Sequence, residues 1–121
     1  MSQSSLVPAD AARAVALADS VHVAPAGIVS RTLLQTPELR VVLFAFDAGQ
    51  ELTTHTNRRR ALLQVLSGEG EFFFDGTWHP LASGAWVHLP PGHPHAVRAG
   101  AVPFTLLLTL AGEPAPTASD P

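Results

Sequence analysis

From Val21 onward, short apolar runs alternate with glycine, proline, aspartate and threonine at intervals of about ten residues. Apolar runs of this length with turn residues between them are typical of antiparallel β-strands. The Asp75-Gly76 pair is the strongest hairpin signal, because both residue types tolerate the positive φ of a type I′ turn. The pattern predicts an all-β sandwich or barrel.

This pattern predicts eight strands. Two of them, Val41 to Phe46 and Phe104 to Leu110, lie in nearly continuous apolar runs. Such a run is buried on both faces, or is buried on one face and lies at a subunit contact on the other. The predicted strands are Gly27–Leu34, Leu39–Asp47, Ala61–Leu66, Gly70–Phe74, Thr77–Pro80, Ala85–Leu89, Ala96–Arg98 and Phe104–Leu110.

The two ends of the chain differ from this strand-rich part. The stretch from Pro8 to Asp19 is rich in alanine and has a proline near its start, which predicts one short helix. We assign residues 1–24 to an N-terminal segment with this helix and residues 25–111 to the barrel. Residues 112–121 are polar and rich in proline, so we expect a disordered tail.

Composition excludes several classes of protein. The 121 residues fit one domain, and 46% hydrophobic with only 14% charged residues excludes a disordered chain. The net charge of −3 does not favour nucleic acid or an anionic membrane as a partner. The absence of cysteine excludes disulfides and thiolate metal sites. No apolar run has the roughly 18 residues of a membrane span, and no secretory signal is visible, so we expect a cytoplasmic protein.

Glycines, prolines and histidines occur at fixed spacing in the second half of the chain. Gly84 is followed by five residues, then by Pro90, Gly92 and His95. This spacing resembles the second motif of the cupins, small jelly-roll barrels, except that Ala99 replaces the final asparagine. The sequence is therefore identified as resembling the cupin superfamily and its RmlC-like jelly roll, which implies an all-β barrel preceded here by one short helix.

The first cupin motif is eroded. Gly49 and His55 fit it, but Asn57 stands at the second histidine position and Ala61 at the glutamate position. The chain also resembles a subgroup of stand-alone cupins through its segments ALLQVLSGEG and LPPGHPHA. Members of that subgroup generally lack the motif glutamate, so Ala61 is compatible with the resemblance.

The resemblance implies a divalent metal inside the barrel, with His55 and His95 as ligands and Asn57 as a weak one. Zinc, iron, manganese and nickel are all compatible with these ligand types. A third strong ligand is needed, and Gln64, His88 and His93 are the candidates.

The orientation of two of these candidates stays open in the sequence. Gln64 faces outward if Ala61 faces inward, and a bulge near Ala61 would reverse this. His88 shares a strand face with Trp86, so it either points at the site or is an ordinary structural residue.

The basic run after His55 offers a second kind of contact. Arg58 and Arg60 are candidates for a rim that binds a substrate anion, since guanidinium groups grip carboxylates. Trp86 is a weaker candidate for the same rim. The alternative for the arginines is a solvated loop, and for the aromatic residue an ordinary structural role.

We therefore expect a small molecule in the barrel, a metal held by the motif histidines, and oxygenase or isomerase chemistry on a small organic acid. The first alternative is a non-enzymatic ligand-binding sensor. The second is a metal-free barrel whose main property is self-association. A homodimer is expected in every case, because the apolar runs and the mean hydropathy of +0.21 favour extra buried surface.

Overall fold

The computed structural model describes residues 5–112, and most of them lie in strands. Strands form where the sequence alternates apolar and polar residues, and they end at glycine, proline or aspartate. Within residues 5–112 the strands are β1 (Ile28–Gln35), β2 (Leu39–Phe46), β3 (Glu51–His55), β4 (Arg60–Ser67), β5 (Glu69–Phe74), β6 (Thr77–Ala82), β7 (Trp86–Leu89), β8 (His95–Ala99) and β9 (Phe104–Ala111).

The strands form two sheets in which neighbours run antiparallel. One sheet has five strands in the order β1-β2-β9-β4-β7, and the other has four in the order β3-β8-β5-β6. Apart from the β1–β2 and β5–β6 pairs, consecutive strands lie in opposite sheets, so the two sheets enclose one interior as a jelly roll. This architecture confirms the predicted fold class.

Eight of these strands match predicted ones in position. The exception is β3, which the sequence pattern missed because Glu51-Leu-Thr-Thr-His55 contains a single apolar residue. β3 is an edge strand, and its pairing with β8 shifts register between Leu52 and His55. Such an edge strand needs little apolar surface, so its sequence gives a weak strand signal.

Three phenylalanines hold the two sheets together. Phe46 and Phe104 come from the larger sheet and Phe72 from the smaller one, and all three are almost completely buried. The ring centroids of Phe104 lie 5.9 Å from Phe46 and 6.5 Å from Phe72, at the tilted angles that aromatic rings prefer. Burial of each ring contributes roughly 1.5–3 kcal/mol.

Two turns require special backbone conformations. Asp75 and Gly76 have φ angles of 53° and 81°, which confirms the predicted type I′ hairpin. Gly68 has a φ of 77°, and a Cβ at this position would collide with the carbonyl oxygen of Pro103. Glycine is therefore required between β4 and β5 both for its conformation and for its small volume.

The N-terminal segment is less helical than predicted. Of the stretch from Pro8 to Asp19, only a 3-10 turn at Leu17–Asp19 is helical. A free helix of about 12 residues is marginal in water, which is consistent with the absence of the predicted one. The segment instead extends along the barrel, where the backbone NH groups of Leu6 and Val7 donate to carbonyls of β1.

This extended segment explains the nearly continuous apolar run of β2. Leu43 and Ala45 point away from the barrel interior, yet both are completely buried. Val21 and Leu17 from the N-terminal segment pack over them. The N-terminal segment of the same chain therefore covers the outer face of β2. Of the two alternatives predicted for this strand, burial on both faces is the one observed.

The predicted tail, apart from Gly112, lies outside the described residues. Among residues 5–112, no helix is long and apolar enough to span a bilayer.

Candidate functional site

A cavity of about 200 Å³ lies between the two sheets. Ten of its fifteen lining residues are apolar, so a molecule bound there is mostly in contact with hydrocarbon. The volume is below the roughly 300–1,000 Å³ of sites for drug-sized ligands. It is closer to a cavity of about 150 Å³ that admits benzene. The polar lining residues are Ser30, Arg40, His55, Asn57 and His95.

His55 and His95, which the sequence places at separate motifs, meet in this cavity. His55 ends β3 and pairs directly with His95 at the start of β8. Their ring centroids are 4.1 Å apart, with 59° between the ring planes. The antiparallel pairing of the neighbouring strands β3 and β8 therefore brings the two imidazoles side by side.

The backbone fixes the tautomer of both rings. The Nδ1 atom of His55 lies 2.9 Å from the carbonyl oxygen of Thr53, and that of His95 lies 2.9 Å from the carbonyl oxygen of His93. A carbonyl oxygen only accepts hydrogen bonds, so Nδ1 carries the proton in each ring. The lone pair of each neutral ring is then on Nε2, which is the arrangement that metal-binding histidines use.

Burial keeps His95 neutral. Its exposed fraction is 3%, and the loss of hydration lowers the pKa of its imidazole. The hydrogen bond to the carbonyl of His93 acts in the opposite direction, and electrostatic interaction with the neighbouring His55 and His93 lowers the pKa of His95 further. His95 is therefore an uncharged acceptor at neutral pH.

Asn57 also lines the cavity, in the loop after β3. Its backbone carbonyl accepts a hydrogen bond of 2.7 Å from the NH of Gly92, in the turn before β8. This hydrogen bond joins the loop after β3 to the turn before β8. It therefore helps to fix the position of His55 relative to His95.

Gln64 lies outside the cavity, which corrects one predicted ligand. Ala61, Leu63 and Val65 of β4 are buried, whereas Gln64 is exposed on the opposite face. β4 has no bulge at Ala61, and its pairing with β7 is regular. The alternation of side chains along a strand therefore points the amide outward.

His88 and Trp86 are corrected for the same reason. Both are exposed on the outer face of β7, while Val87 and Leu89 fill the interior. The Nε2 atom of His88 accepts a hydrogen bond of 2.7 Å from Arg60. His88 is thus engaged outside the barrel, and Trp86 does not lie at the cavity rim.

The predicted arginine rim is also displaced. Arg60 lies on the outer face with His88, and Arg58 is not among the residues that line the cavity. His93, the remaining candidate ligand, hydrogen-bonds through Nε2 to Asp75 at 2.8 Å. These side chains hold loops and outer surfaces in place.

Sequence reasoning missed Arg40 and Ser30. Both line the cavity from the inner face of the β1–β2 pair. The signal was the alternation of β2, in which Arg40 falls on the same face as Val42, Phe44 and Phe46. A charged residue at the start of an otherwise apolar inward face marks the mouth of the cavity.

The donor set for a metal contains two strong ligands. His55 and His95 offer neutral imidazoles with free Nε2 atoms, and Asn57 offers a neutral amide. Ala61 stands where the resemblance places a carboxylate. Residues 5–112 contain no group of three histidine, cysteine, aspartate or glutamate side chains that could hold a metal ion. The two imidazoles therefore supply only part of a ligand set for a divalent transition metal, and water or a bound molecule would have to fill its other positions.

Comparisons with known proteins agree with this geometry. The family model of the cupin domain matches residues 42–109, more than half of the chain. A protein of unknown function from Streptococcus pyogenes is 30% identical over 98% of this chain and 100% of its own, with a TM-score of 0.76. The chain belongs to the cupin family, as the spacing of its motifs predicted.

Two further structures show the range of this fold. An RmlC-like cupin from Desulfovibrio desulfuricans is 32% identical over 84% of this chain and 97% of its own, with a TM-score of 0.75. A DMSP lyase from Ruegeria pomeroyi is 27% identical over 70% of this chain and 47% of its own, with a TM-score of 0.67. No curated protein matches the sequence.

Proposed function

We propose that this cupin binds a small organic molecule, not much larger than a single ring, inside its barrel. The molecule's polar group lies at the part of the cavity lined by His55 and His95, and its apolar body lies against the hydrocarbon lining. The observation that carries this proposal is the pair of Nδ1–carbonyl hydrogen bonds, because they leave both lone pairs available in one apolar cavity.

In this proposal the same two histidines would hold a divalent transition metal through Nε2, with Asn57 as a weak third ligand. When bound, such a metal supplies Lewis acidity to a substrate oxygen. The chain's own residues do the rest. Thr53 and His93 fix the tautomers through their carbonyls, and the apolar walls exclude water from the imidazoles.

Two functional classes fit this site. Catalysis by an oxygenase or isomerase on a small organic acid is the first, and the similarity to 47% of a DMSP lyase supports an enzyme with this fold. Binding without turnover, as in a sensor, is the second. The cavity lining described here includes no aspartate or glutamate, which favours the second class because the imidazoles are then the only acid–base groups.

The test is metal binding by protein purified without a histidine tag. We expect His55→Ala and His95→Ala each to weaken zinc binding at least about tenfold, as measured by isothermal titration, because each variant removes one of two strong ligands. His88→Ala is the matched control, since it removes a histidine on the outer face. Equal affinity in all four proteins would contradict the assignment of the metal to this pair.

We also propose a homodimer that pairs through the outer face of the larger sheet. Trp86 is 63% exposed there, and its ring stacks on His88 with centroids 6.4 Å apart. A large exposed aromatic residue is typical of protein interfaces. In sedimentation at micromolar concentration, we expect a dimer for the native chain and a shift toward monomer for Trp86→Arg. A native monomer would contradict this proposal.

A further inference from the structure

Arg40 occupies an unusual position for a charged side chain. It is the second residue of β2 and lies on the inner face of the larger sheet, where it lines the same cavity as His55 and His95. Its side chain is exposed, so it stands at the mouth of the cavity and not on the floor. An arginine here presents a positive charge to whatever enters.

The charge of Arg40 has no acidic partner among residues 5–112. Its guanidinium donates one long hydrogen bond, 3.3 Å from Nη2 to the hydroxyl of Thr32 on the adjacent strand. Arg98 provides the contrast, because its guanidinium pairs with Glu71 at 2.8 Å and stacks on Trp78 at 3.7 Å. Arg98 is thus satisfied within the fold, whereas most of the donors of Arg40 are available.

A guanidinium group recognises a planar anion best. Its fixed fork of NH donors matches the two oxygens of a carboxylate, and such charge-assisted hydrogen bonds are stronger than neutral ones. Ser30, which also lines the cavity, adds a hydroxyl that donates to an anion as well.

We propose that Arg40 binds the carboxylate of the molecule that the cavity accepts. The ligand is then a small organic acid with an apolar body, its carboxylate at the mouth with Arg40 and its second polar group at the two histidines. This inference rests on the proposed function and narrows it to one class of ligand. It also moves the anion-binding role from Arg58 and Arg60 to a residue on a different strand.

The experiment compares benzoate with its uncharged analogue benzamide as probes of the cavity. Each is titrated at millimolar concentration into ¹⁵N-labelled protein, and affinity is read from the shifts of backbone resonances of His95 and Val97, which line the cavity. We expect the native protein to bind benzoate at least about tenfold more tightly than benzamide.

Two substitutions of Arg40 separate the effect of its positive charge from the effect of its guanidinium geometry. Arg40→Gln is expected to lose the preference for benzoate while keeping the affinity for benzamide, and Arg40→Lys to keep only part of the preference. The matched control is Arg31→Gln, which removes the same charge from the exposed outer side of β1 and should leave both affinities unchanged. Each variant is compared with the native chain by thermal unfolding to confirm that it folds.

Two results would overturn the inference, and they differ. Equal binding of both probes by the native chain, or a preference that survives in Arg40→Gln, removes the role of Arg40 and leaves the cavity as a binding site. Failure of both probes to shift His95 and Val97 contradicts the proposed binding function itself, and the inference falls with it.

Discussion

Two pairs of polar side chains lie on strands of the barrel wall, and only one of these pairs belongs to the candidate site. On β3 and β8, His55 and His95 point inward and lie side by side. On β4 and β7, Gln64 and His88 point outward into solvent. The residue types are alike, so the side-chain alternation along each strand decides which group lines the cavity.

The two groups also differ in what holds them. The inner histidines are fixed by backbone carbonyls two residues before them in their own strand or turn, whereas His88 is held by the exposed side chain of Arg60. Backbone hydrogen bonds fix the ring orientation and tautomer of the inner pair, whereas the contact between the exposed side chains of Arg60 and His88 competes with water. The inner pair is therefore preorganised for a ligand, and the outer residues are not.

The largest expected effect compares two neighbouring phenylalanines of β5. Phe72 points inward and is completely buried, while Phe73 points outward and packs on Trp78. We expect Phe72→Ala to lower the free energy of unfolding by about 3–5 kcal/mol, because it leaves a cavity in the core. Phe73→Ala should cost about 1 kcal/mol, in line with a surface-facing substitution. Equal losses in urea denaturation would contradict the assignment of inner and outer faces.

A smaller effect concerns pH. The pKa of His95 is lowered by burial from its ordinary value of 6.5, so in acid the unfolded chain binds a proton that the folded chain resists. The free energy of unfolding should therefore fall as the pH drops below about 6.5, and this group should contribute no slope above it. This decrease in the free energy of unfolding is measured by urea denaturation at a series of pH values, with a metal chelator present.

The control for that prediction is again a matched pair. His95→Asn removes the buried titrating group and should flatten the pH dependence between pH 6.5 and lower values. His88→Asn removes an imidazole on the outer face and is the variant with which His95→Asn is compared. The prediction fails if the two variants show the same slope.

The spacing of the motifs predicted the fold and the central pair of the site. Gly84 lies in the turn before β7, Pro90 and Gly92 lie in the turn before β8, and His95 begins β8, so their spacing carries structural information along the chain. The alternation also predicted that Trp86 and His88 share a face. It did not say which face is inside, because both faces of β4 and β7 carry apolar residues.

Other features depend on contacts between distant parts of the chain. β3 is polar and exists through its pairing with β8, and in place of the helix predicted over Pro8–Asp19 a largely non-helical segment covers Leu43. Arg40 was overlooked because its role depends on a cavity formed by both sheets. Propensity and local pattern do not contain these contacts.

The most direct test of this account is the tautomer of each histidine, read from the imidazole ¹⁵N chemical shifts of the metal-free protein at neutral pH. We predict the Nδ1–H form for His55 and His95, with unprotonated Nε2 atoms, and no such fixed form for the exposed His22. A protonated Nε2 on His55 or His95 would contradict the central claim, because no lone pair would then face the cavity.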